Sequence, residues 1–127
     1  MKALLVLFIP ALFSLPAFAE TLNCRADYDE GSHYEISAAV NGRAISGDVA
    51  FRFLSNDGIN LHSALKPQTQ NFELARKIEL TARDENMSVA LKADFETGAQ
   101  DYEGVLTVTF DLQDAQPVVV NAQCTLQ

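Results

Sequence analysis

Two cysteines, two histidines and 17 acidic side chains are the groups from which this 127-residue chain would have to build any chemistry. Cys24 and Cys124 stand 100 positions apart, and neither has a Cys or His at the short spacing that metal or dithiol centres use. His33 and His62 lie far from any Gly-x-Ser-x-Gly or His-Glu-x-x-His pattern, so both read as surface or partly buried histidines without a catalytic role. No pair of carboxylates is singled out by its context, and a glycosidase would want aromatic platforms in a chain that has no tryptophan. The run Asp27-Tyr28-Asp29-Glu30-Gly31 has the look of a calcium loop. Counted from Asp27, however, the fifth position is Gly31, the sixth Ser32 and the twelfth Ala38, none of which suits an EF-hand. Glu96, Asp101 and Glu103 flank a second glycine-containing turn of the same weak kind. No catalytic, cofactor-binding or metal-ligating residue is assigned, and no cofactor is expected.

The meaning of the cysteines depends on the first 19 residues. Met1-Lys2 is basic, Ala3 to Leu15 is apolar, and Pro16 leads into the small-x-small triplet Ala17-Phe18-Ala19. That pattern is a secretory signal, residues 1–19, cut before Glu20. It places the remaining chain, residues 20–127, in the periplasm or outside the cell, where thiols oxidise, and Cys24 and Cys124 are expected to form a disulfide. Lipidation of Cys24 is disfavoured, because Asn23 is not the small residue that should precede it. Asn86-Met87-Ser88 is a formal glycosylation sequon, without consequence if the compact cleavage site marks a bacterial signal.

The 108 residues that remain suit one domain with one core. Losing Lys2 leaves eight Lys and Arg against 17 Asp and Glu, a net charge of −9. The cations are scattered, which excludes nucleic acid and anionic membranes as natural partners. Acidity of this size serves solubility, and it would also steer the chain towards a basic protein.

Apolar residues recur with period two, the mark of half-buried strands. Between Met87 and Phe95 every odd position is apolar. The same stripe runs through Leu22, Cys24, Ala26 and Tyr28; through Tyr34, Ile36, Ala38 and Val40; through Ile45, Val49, Phe51 and Phe53; through Leu106, Val108, Phe110 and Leu112; and through Val118, Val120, Ala122 and Cys124. Phe72 to Ala82 reads as one further strand, with Arg76 marking a bulge or a strand end, and Ile59 to Leu65 as the weakest. Asn41-Gly42 is the clearest hairpin signal, a type I′ turn with positive φ at both residues. Turn residues also fill Glu30-Gly31-Ser32, Ser55 to Gly58, Asp84-Glu85-Asn86, Thr97-Gly98 and Gln113 to Pro117. Lys66 to Asn71 reads as the one longer polar connection.

Seven or eight short strands joined by tight turns make an all-β antiparallel meander, closed as a barrel or folded as a two-sheet β-sandwich. A disulfide between the terminal strands favours closure, because the two edges would then pair with each other. In the chain-entropy account a cross-link over 100 positions stabilises by as much as about 4.7 kcal/mol. Membrane insertion is not expected: eight outer-membrane strands with long external loops would need more residues, and the charged face of Glu73, Lys77, Glu79 and Arg83 would also have to be housed. Phe51, Phe53, Phe72, Phe95, Phe110, Tyr28, Tyr34 and Tyr102 form the expected inward aromatic set.

In outline the chain resembles the periplasmic lysozyme-inhibitor barrels, which share a signal peptide, a similar mature length, an antiparallel barrel and a disulfide. The resemblance is architectural; their Ser-Gly-rich inhibitory loop and Lys-Gly segment have no counterpart here, and no residue is carried over. The leading expectation is an exported, non-enzymatic, monomeric domain that binds a protein or cell-envelope component through its loops. The alternatives are a carrier of a small apolar ligand inside the barrel and a carboxylate-dependent hydrolase.

Overall fold

The protein is described from a computed structural model, which covers residues 19–95 and 101–127. Eight antiparallel strands follow one another as a meander: β1 (Ala19–Asp29), β2 (Ser32–Asn41), β3 (Ala44–Leu54), β4 (Asn60–Glu73), β5 (Lys77–Arg83), β6 (Met87–Phe95), β7 (Tyr102–Phe110) and β8 (Val118–Leu126). β8 pairs back onto β1, closing a barrel in chain order and leaving no sheet edge. Of the expected secretory signal, residues 1–19, all but Ala19 lie outside the described residues, as do Glu96 and the Thr97-Gly98 turn, and Ala19 opens β1.

The period-two stripes become the barrel interior, as strand geometry requires: successive side chains point to opposite faces, and one face must leave water. Leu22, Cys24 and Ala26, then Ile36, Ala38 and Val40, then Met87, Val89, Leu91 and Ala93 are all buried, while their neighbours face out. Cys24 and Cys124 face each other across β1 and β8 and are bonded, with Cα atoms 4.0 Å apart. That seam has the fewest residue partners of the eight, only Leu22 to Arg25 against Leu126 to Gln123, extended by reciprocal backbone bonds between Thr21 and Gln127.

On the outer face a lateral row of partners crosses every strand: His62, Arg52, Glu35, Arg25, Gln123, Glu103, Asp94, Lys77. One circuit returns the row to β4 at Glu73, 11 residues (73 − 62) beyond its start, one of them the bulged Gln68. Such stagger means strongly tilted strands, which an eight-stranded barrel needs to close over a filled interior.

Four local expectations are corrected. Lys66 to Asn71 is not a connection but the middle of β4, because the register shift between Pro67 and Thr69 accommodates a proline that a regular ladder would reject. The stripe from Phe72 to Ala82 is two strands, separated by a turn at Leu74–Arg76 in which Ala75 takes φ 61° and its N–H donates to the Tyr102 hydroxyl at 3.0 Å. The β2–β3 hairpin is shifted by one: Asn41 pairs with Ala44, and of the two central residues Gly42 alone has positive φ, the pattern of a II′ rather than an I′ turn. Leu112 lies beyond the end of β7 and is exposed rather than inward.

Gly104 sits inside β7, opposite Ala93 and Ala122. A Cβ there would overlap the Lys92 carbonyl oxygen and come within 2.5 Å of the Ala93 Cα. The missing side chain lets β7 press against β6 and tighten the curl of the wall.

Candidate functional site

The meander places four connections at one end: the β1–β2 turn (Glu30-Gly31), the β3–β4 loop (Ser55–Ile59), the β5–β6 turn (Asp84–Asn86) and the β7–β8 loop (Asp111–Pro117). The inward stripes run out into water at this mouth. Buried Tyr34 packs on Phe51 (ring centroids 5.7 Å apart) and Phe53 (4.9 Å), and meets Tyr28 edge-on at 5.9 Å. Phe53 in turn is the cross-strand partner of Leu61. The outer members of this chain are exposed, Tyr28 by 50% and Leu61 by 48%, with Ile59 at 50% beside them. In the β7–β8 loop Leu112 is 71% exposed, between the ends of β7 and β8 where Phe110 and Val118 are partly buried against the core. Tyr28 therefore departs from the expected inward set, as a lip residue. Phe51, Phe72, Tyr34 and Tyr102 are buried, and Phe53, Phe95 and Phe110 are partly buried against the core.

The turns are fastened in two pairs. Asn56 donates its backbone N–H to Ser32 Oγ (3.3 Å) and its side-chain amide to the Glu30 carbonyl (3.1 Å), locking the β3–β4 loop onto the β1–β2 turn. Gly31 permits that approach: its φ is 80°, and a Cβ there would lie 2.6 Å from that of Asn56. On the other side the Asp111 N–H donates to the Asn86 carbonyl (2.7 Å), and Arg83 donates to the Asp111 carboxylate (2.9 Å). Asp84 accepts from the N–H groups of Asn86 and Met87, at 2.7 and 2.9 Å, closing its own turn. Loops held this way present their side chains at low ordering cost.

Charge is concentrated here too. Asp29, Glu30, Asp57, Asp84, Glu85, Asp111 and Asp114 lie in or next to these connections, and Arg83 at the end of β5 is committed to Asp111. At the other end Arg43 and Arg76 lie in the described turns, with Glu73, Lys77 and Asp101 beside them. Burial pushes the Tyr34 phenol above its ordinary value, aided by the neighbouring Tyr28 and the Asp29 carboxylate.

The histidines are on the outer wall. Half-buried His33 contacts Glu35 through Nε2 at 2.9 Å, and Glu35 also accepts from Arg52 at 3.4 Å. His62 is exposed, across from Arg52. Asp27 pairs with Arg25 rather than with the acidic residues that follow it. Among the described residues no group of three His, Cys, Asp or Glu side chains is placed to hold a metal ion. A groove of about 390 Å³ is lined chiefly by the outward residues Asn23, Arg25, Glu35, Ser37, Asp101, Gln123 and Thr125, with Cys24 and Ile36 also touching it. Sequence reasoning missed Ile59, Leu61 and Leu112 as surface residues. The signal that marks them is an aliphatic side chain directly beside an acidic turn. Family models, curated proteins and solved structures return no match to this chain.

Proposed function

We propose that this chain is an exported, non-enzymatic barrel that binds another protein or a cell-envelope component through the turns at its open mouth. The observation that carries the reading is the exposed lip of Tyr28, Ile59, Leu61 and Leu112 on turns already fastened by hydrogen bonds. Apolar side chains grouped and rimmed by polar ones mark interaction sites, since leaving each half exposed forgoes about half of the roughly 1.5–3 kcal/mol that full burial supplies. A barrel that buries the disulfide-bonded Cys24 and Cys124 suits an oxidising compartment. The interior is packed with aliphatic and aromatic side chains, which favours surface recognition over carriage of a ligand inside.

The test is site-specific photo-crosslinking in envelope extract, with the cross-linker at Leu112 in one protein and at outward-facing Val119 in another. A defined adduct from position 112 alone is the expected result. Adducts from neither position, or equally from both, would overturn the reading.

A further inference from the structure

Resting on that reading, we infer that the partner presents a cationic polypeptide segment with an aliphatic or aromatic side chain among its Lys and Arg residues. The apolar chain from Tyr34 through Phe53 to Leu61 supplies the seat for that side chain, because its outer half is in water while its inner half is core. The rim selects the charge. Asp111 and Asp84 are occupied by Arg83 and by turn N–H groups, but Asp29, Glu30, Asp57, Glu85 and Asp114 form no ion pair among the described residues. A neutral or acidic partner lying on the lip would strip water from these carboxylates and return nothing. A basic one replaces the lost hydration with ion pairs. The free carboxylates stand beside the exposed apolar chain, so a single ligand meets both.

The test measures binding of the full chain, disulfide intact, to three labelled synthetic peptides: alternating Lys and Leu, alternating Lys and Ser, and alternating Glu and Leu. The Lys/Leu peptide should bind at least about tenfold more tightly than either control, and its affinity should fall as salt is raised. Leu61→Ser should weaken it by about tenfold. The combined variant Glu30→Gln, Asp57→Asn, Glu85→Gln, Asp114→Asn should do the same and remove the salt dependence. Val119→Ser, which deletes a still more exposed valine from the outer wall, should leave the affinity unchanged. Equal binding of the Lys/Ser peptide, equal binding of the Glu/Leu peptide, or an equal loss in Val119→Ser would each overturn the inference. The peptide comparison needs no variant to fold. Crosslinking from position 112 to a segment without Lys or Arg would refute this inference while leaving the mouth as a binding site, whereas no crosslink there would remove both.

Discussion

Replacing Cys24 and Cys124 together by alanine removes the staple from the weakest seam of the barrel. The bond spans 100 positions, for which loop-closure entropy sets a ceiling of about 4.7 kcal/mol. Residual compaction of the unfolded chain lowers the gain, and the two small cavities left where the buried sulfurs stood add back a part of the loss. The expected net loss is about 2–5 kcal/mol. At about 4–8 °C per kcal/mol for a domain of this size, the melting temperature should fall by roughly 8–40 °C. Only Leu22 to Arg25 and Leu126 to Gln123 pair across this seam, so the loss should also be local. Amide exchange at Thr21 and Gln127, which bond each other at 2.7 and 3.1 Å, should accelerate more than exchange in β6. Melting followed by circular dichroism, with hydrogen exchange read residue by residue, checks both parts. A double variant melting within about 5 °C of the parent, with Thr21 and Gln127 still protected, would refute the view that the bond closes the barrel.

Gly104→Ala should cost about 1–3 kcal/mol or more, read as a lower urea midpoint at unchanged slope, because the new methyl meets backbone of β6 that cannot swing aside; an unchanged midpoint would show that the two strands separate freely. Glu35→Gln should cost about 1 kcal/mol or less although the side chain touches both His33 and Arg52, because pairs that still reach solvent gain little over water; urea titration with a Glu35–Arg52 double-mutant cycle measures it. Tyr34 holds its proton more tightly folded than unfolded, so its contribution to stability is complete below the ordinary phenol value of 10.0 and is lost as pH rises from there through the raised folded value. Tyr34→Phe should therefore flatten the alkaline limb of the stability profile, and parallel limbs in parent and variant would contradict the assignment.

Alternation of apolar residues is a local property of a strand, so the stripes from Leu22 to Ala26 or from Met87 to Phe95 could be read directly, and with them the inward side of both cysteines. Closure also followed, since a bond between the first and last stripes leaves a meander no edges to expose. Local pattern failed where two demands overlapped. The stripe through Arg76 continues across a hairpin because the turn residues keep helix- and strand-compatible side chains, and the polar run around Gln68 hides a bulged strand. Gly104 carried no turn signal, for its role is set by the Lys92 backbone on a neighbouring strand. The mouth is the deepest case. Tyr28, Leu61 and Leu112 are separated along the chain, and each continues an apolar stripe that reads as core. Only the tilt and stagger of the closed barrel determine where each stripe leaves the interior, and so which aliphatic and aromatic side chains meet water beside seven carboxylates.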